Sequence, residues 1–181
     1  MKGIIFNIAE ATVSDEFGED AWDDLLESAG LGGAYTALGD YPVDHLVALV
    51  TAASDKLSLP PADVIRFIGR RGFPILIDKY PDMAVGHSSA RTFVLSLNEV
   101  IHPEVRKLYP GADVPTFEYR DSGKGVLEIE YVSNRQLCYF AEGLILGCAD
   151  YFDESIDISQ PTCQHDGAIS CVLRLQWIAN G

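Results

Sequence analysis

Basic residues are scarce in this 181-residue chain: 13 Lys and Arg stand against 27 Asp and Glu, a formal charge of −14. A surface of that sign repels phosphate backbones and anionic headgroups, which excludes nucleic acid and membrane surfaces as partners. No apolar run approaches the roughly 18 residues of a membrane-crossing helix. Lys2-Gly3-Ile4-Ile5-Phe6 starts like a secretory leader, but Asn7 and Glu10 interrupt it too early. Also missing are a Gly-x-Ser-x-Gly nucleophile elbow, a phosphate loop and a dinucleotide fingerprint. Acid pairs such as Asp23-Asp24, or Glu128 with Glu130, read as solvated faces. An enzyme is therefore disfavoured. Cysteine is absent until residue 138, and Cys138, Cys148, Cys163 and Cys171 then crowd the last quarter. That clustering predicts reduced thiols or a metal site rather than a disulfide framework, and with it a cytoplasmic protein.

What is present suits one globular domain, with 48% hydrophobic residues. The first hundred residues read as helices. One runs over 21–26 and stops at Gly30; a second starts at Pro42 and reaches Leu57. Pro60-Pro61 opens a third, which Gly72 and Pro74 punctuate, leaving 75–80 as a short continuation. Ser88 or Ser89 caps a helix that buries Phe93, Val94, Leu97, Val100 and Ile101. After Pro103 the period changes to two. Residues 116–120 and 126–132 alternate around Asp121-Ser122-Gly123, predicting an antiparallel hairpin. Residues 134–152 return to helical spacing, and 155–159 and 169–178 alternate again. The sum is an α+β fold: a helical N-terminal part and a C-terminal part with a four-stranded antiparallel sheet.

Three groups of residues could carry chemistry. Tyr131, Ser133 and Arg135 share one side of an extended strand, and Arg grips a carboxylate with a planar fork. Ser133 with Gln136 also makes a capping box for the next helix, so the trio reads either as a carboxylate clamp or as a cap with solvated neighbours. On that helix Phe140, Gly143, Leu144 and Gly147 share a face where something flat could lie close, or where helix packs on sheet. His102 follows an apolar helix and precedes Pro103; it is a metal ligand or simply a helix C-terminal residue. Cys138, Cys163 and Cys171 with His165 would suit tetrahedral zinc, although Cys171 alternates with Leu173, Leu175 and Trp177 on a core face. Buried inert thiols are the other reading.

Together these pieces resemble a known family. Met1-Lys2-Gly3-Ile4-Ile5-Phe6-Asn7, His102-Pro103-Glu104-Val105-Arg106-Lys107-Leu108-Tyr109-Pro110 and Tyr131-x-Ser133-x-Arg135 are similar to the H-NOX proteins. These are bacterial haem nitric oxide/oxygen-binding proteins related to the haem domain of soluble guanylate cyclase. The resemblance implies a single domain over 1–181, helical to about residue 60 and haem-binding beyond. It implies haem b between the parts, with His102 as proximal iron ligand and Tyr131, Ser133 and Arg135 on the propionates. Pro115 would press on the porphyrin, while Ile5 and Leu144 would pack around it. Oxygen-binding relatives carry a distal tyrosine where this chain has Phe140, with a supporting Trp and Asn where it has Ala9 and Gly72. Tyr139, about 100° round the helix, should face elsewhere. The expectation is a sensor that binds nitric oxide, and carbon monoxide, but excludes O2.

Some relatives hold zinc with three Cys and one His. Cys138, Cys163 and Cys171 fall on the Cys positions, but Gln160 replaces the His, leaving His165 as a substitute or the site lost. The resemblance also implies signalling through release of His102 to a separate histidine kinase or a cyclic-di-GMP cyclase or phosphodiesterase. The rival readings are a thiol or zinc redox sensor, an O2-binding haem protein, and a haem carrier or NO-scavenging enzyme.

Overall fold

The computed structural model describes residues 1–123 and 125–178. Four helices come first: α1 (Ile4–Phe17), α2 (Glu19–Ala29), α3 (Val43–Leu57) and α4 (Pro61–Lys79). No helix among the described residues is long and apolar enough to cross a membrane. The leader-like start is α1 itself, an element the periodicity did not reveal. Its apolar Phe6, Ile8 and Ala9 are joined in the interior by Thr12, which blurs the helical stripe.

α4 corrects another expectation, because it runs through Pro74 without a break. Proline removes the amide that would bond the carbonyl four residues back, which is Arg70's. That carbonyl faces Gly147 of the C-terminal helix α7 (Cys138–Tyr151). A Cβ on Gly147 would overlap it, so the Cα–H along that direction points at the oxygen, a weak but real contact. Gly143 lies in the same way against the Arg66 carbonyl, and Gly69 against that of Phe140. The glycine-bearing face of α7 therefore meets α4, and the flat partner expected there is another helix. Two ion pairs span the seam, Arg66–Glu142 at 3.1 Å and Arg70–Asp150 at 2.6 Å.

Ser89 caps α5 (Ala90–Leu95), accepting from the Thr92 amide. A π-helical turn over Leu97–Ile101 then leads into α6 (His102–Leu108). His102 thus opens a helix and does not end one. The sheet holds β1 (Thr116–Gly123), β2 (Val126–Val132), β3 (Ser155–Thr162) and β4 (Cys171–Ile178) in the order β1-β2-β4-β3, all antiparallel. Asp121, Ser122 and Gly123 belong to β1, with a register shift there; Lys124 lies outside the described residues.

Leu127, Ile129, Leu173 and Leu175 form the sheet's dry face and pack with Ala141, Ile145 and Cys148 of α7. Trp177 is only partly buried; its indole N–H donates to Glu154 at 2.6 Å. Ile169 is 95% exposed and precedes β4. The Ser133 capping box does not form either, since α7 starts at Cys138 after Gln136 at φ 53°. Ser133 Oγ accepts instead from the Arg135 amide at 3.2 Å.

Candidate functional site

A cavity of about 250 Å³ opens between the first helices and the α+β part. Its walls are overwhelmingly apolar, and His102, Pro115, Tyr131, Ser133, Arg135, Ile5, Phe140 and Leu144 all line it. The sequence-derived binding set therefore converges on one space, drawn from α1, α6, the segment before β1, the end of β2, and α7.

His102 is the group that needs explaining. Its residue is 9% exposed, and Nδ1 is buried without a hydrogen-bond partner. Burial pushes the imidazole pKa down to about 4, and the Arg106 cation adds to the effect; the nearby Pro115 carbonyl opposes it. At neutral pH the ring is thus uncharged and keeps a lone pair, the form in which imidazole ligates a metal. The ring sits 5.5 Å from that of Phe117.

Sequence reasoning passed over Asn98 in the π-turn. Its Nδ2 donates to the Phe117 carbonyl at 2.5 Å, and its Oδ1 accepts from the Phe117 amide at 3.2 Å. Both bonds tie the turn before His102 to the start of β1. A single Asn in an apolar helical stretch was the only sequence signal.

On the same cavity wall Tyr131 is buried, in register with Phe117 and Cys171, its ring 5.8 Å from that of Phe117. Burial drives its phenol pKa up to about 12, partly offset by Ser133 and the Leu137 backbone. Arg135 Nη1 donates to the Asp113 carbonyl at 2.7 Å, and its Nη2 lies 3.5 Å from the Asp113 carboxylate. Lys2, also unforeseen, lines the same cavity and pairs with Asp40 at 2.7 Å. Hydroxyls and cations join the lining here, so a carboxylate-bearing flat molecule finds apolar walls, an imidazole nitrogen and donors at its acidic edge. Those are the donors that haem requires, and the residues fit it.

Among the described residues, Phe140 is flanked on the cavity wall by Ile5, Leu137, Ala141 and Leu144, none with a side-chain donor. Ala9 and Gly72 do not line the cavity. Tyr139 does face elsewhere: Arg66 sits 5.3 Å over its ring, and His165 stacks on it at 5.4 Å.

The cysteine cluster gives a mixed result. Cys138, Cys163 and Cys171 are buried, with their sulfurs all within 4.8 Å of one another. His165 is not with them. Its Nε2 is held 2.9 Å from the Gln136 carbonyl, so of the two alternatives, substitution by His165 or a lost site, His165 does not stand with the thiols. Gln160 Nε2 is buried near Cys138 without a hydrogen-bond partner. The donors present do not fit a four-ligand zinc site.

An apolar cavity with an uncharged imidazole on its wall and basic side chains at its edge has the donors a haem protein needs. The family model described as haem-NO-binding matches residues 2–160. The chain is similar to the H-NOX protein of Shewanella oneidensis in its Fe(II)NO state: 32% identity, 99% of this chain and 100% of that one, TM-score 0.92. It is 27% identical to the Fe(II) unliganded H-NOX protein of K. algicida, covering 99% and 98%, at TM-score 0.87. The IWP-051-bound H-NOX of Shewanella woodyi gives 33% identity, 100% and 96%, and TM-score 0.83. The chain belongs to the haem-NO-binding family; it is an H-NOX domain, a haem-based gas sensor.

Proposed function

We propose that this domain holds haem b through His102 and senses nitric oxide while excluding O2. The observation that carries the reading is the buried, uncharged His102 imidazole on the wall of a cavity whose Phe140 side offers no hydrogen-bond donor. Ferrous haem supplies an open iron position for a diatomic gas. Retention of O2 there depends on a donor that Phe140, Ile5 and Leu144 do not provide, whereas nitric oxide and carbon monoxide do not depend on it.

Tyr131, Ser133 and Arg135 are the propionate donors in this reading, and Pro115 bears on the ring. We place the division between the helical and haem-binding parts near residue 60, where Pro60-Pro61 begins α4. The signalling element is the segment His102 opens: whatever holds or frees the imidazole moves α6. A histidine kinase or a cyclic-di-GMP enzyme is the partner class, carried by the family resemblance, and the domain's own role is signalling and not catalysis. A thiol redox sensor is the weaker reading, because burial pushes the Cys138 thiol up to about 12 and the thiol form is unreactive.

The test is an absorption spectrum of protein reduced without air, then exposed to nitric oxide, carbon monoxide or O2. Spectral change with the first two and none that lasts with O2 is expected. A lasting change with O2 overturns the selectivity, and failure to take up haem overturns the site.

A further inference from the structure

The three clustered cysteines do not line the cavity but lie just behind its wall, Cys171 being in register with Tyr131, and their sulfurs are closely grouped. Cys163 Sγ lies 3.8 Å from that of Cys138 and 3.9 Å from that of Cys171. One ion bonded to three sulfurs at about 2.3 Å would hold them roughly 4 Å apart. Each sulfur also has a polar neighbour. The Gln164 amide donates to Cys171 Sγ at 3.2 Å, the Cys163 thiol donates to the Tyr139 hydroxyl at 3.9 Å, and Gln160 lies near Cys138. The Gln164 N–H aimed at Cys171 favours its thiolate, as around metal-bound cysteine, and works against the burial that otherwise favours the thiol.

What is missing is a fourth ligand. His165 is engaged elsewhere, and the oxygen beside Cys171, Gln164 Oε1 at 3.8 Å from its Sγ, is a neutral amide oxygen, a harder and weaker donor than imidazole or thiolate. Zinc in structural sites takes four donors, whereas soft thiolates also select monovalent copper, a d¹⁰ ion satisfied by three. We propose that Cys138, Cys163 and Cys171 form a three-coordinate thiolate site for a soft monovalent cation, with Cu(I) as its representative. On binding, up to three S–H bonds break, the protons leave to solvent and Cu–S bonds take their place; nothing is oxidised or reduced. Cys163 and Gln164 open the loop between β3 and β4, which gives the ion a route in.

The experiment uses the haem-loaded chain, kept reduced and free of air, with one equivalent of Cu(I) or Zn(II) and a soluble chelator as competitor. X-ray absorption at the copper and zinc edges reads these metals separately from iron. Expected are retained Cu(I) with three sulfur neighbours, and about 100-fold weaker retention in Cys163→Ser. Gln160→His, which supplies a fourth donor without touching a thiol, should shift the preference to zinc with three sulfurs and one nitrogen. The proposal is overturned if the unaltered chain prefers zinc with a fourth donor, or releases Cu(I) to the chelator as readily as Cys163→Ser does. It also fails if the cluster closes to a disulfide instead of holding copper.

Discussion

Gly147 of α7 lies against the carbonyl oxygen of Arg70 on α4, a carbonyl whose helical partner Pro74 cannot supply. A methyl group at Gly147 would collide with backbone, which cannot swing aside as a side chain can. Gly147→Ala should therefore cost about 2 kcal/mol and lower Tm by roughly 5 °C. Thermal unfolding checks it; an unchanged Tm would mean the helices can separate freely.

Phe140→Tyr places a hydroxyl on a wall that has none. If the distal reading holds, one new hydrogen bond should raise O2 affinity about tenfold while leaving carbon monoxide binding nearly unchanged. Equilibrium titration with both gases decides between a donor effect and a general loosening of the cavity.

Arg135→Ala removes a cation at the cavity edge but leaves His102 untouched. Haem should pass to a scavenger protein about tenfold faster, with the reduced spectrum unaltered before transfer. An unchanged rate would take Arg135 out of the propionate set.

The haem-free protein should lose stability on acidification because of His102. Its folded pKa, about 4, is depressed from the ordinary 6.5. Above pH 6.5 the ring is neutral in both states and no difference arises. As pH falls from 6.5 towards 4, the unfolded chain takes up a proton that the folded chain refuses, a loss approaching about 3 kcal/mol. Denaturant midpoints across that window should fall less steeply in His102→Phe.

Asn98→Ala leaves the Phe117 amide and carbonyl without their side-chain partner. Amide exchange in the π-turn should quicken about tenfold, with the sheet unaffected. Equal quickening throughout would make Asn98 a general stabiliser and not a positioning residue for His102.

The residue types of the candidate site were visible in the sequence because their spacing is local. Tyr131, Ser133 and Arg135 alternate on one extended stretch, and His102 stands beside Pro103. The sheet was legible for the same reason, since alternation at 126–132 and 169–178 survives any tertiary arrangement. Other features needed a partner to be seen. Pro74 looks like a helix stop until Gly147 is found facing the carbonyl it orphans. Ser133 looks like a cap until Gln136 adopts a positive φ and α7 starts later. His165 sits two residues from Cys163, yet its ring turns to Tyr139, which no spacing rule could report.

The π-turn before His102 carries a consequence for how a signal could leave the haem. A π-turn is an α-turn with one residue more, and each α-helical residue advances the winding by about 100°. Converting 97–101 to ordinary α-winding would shift the following side chains by one place and swing the imidazole by roughly that angle. The aim of His102 is thus stored in a winding number, a quantity that changes in whole residues. A sensor built on such an element answers in clicks.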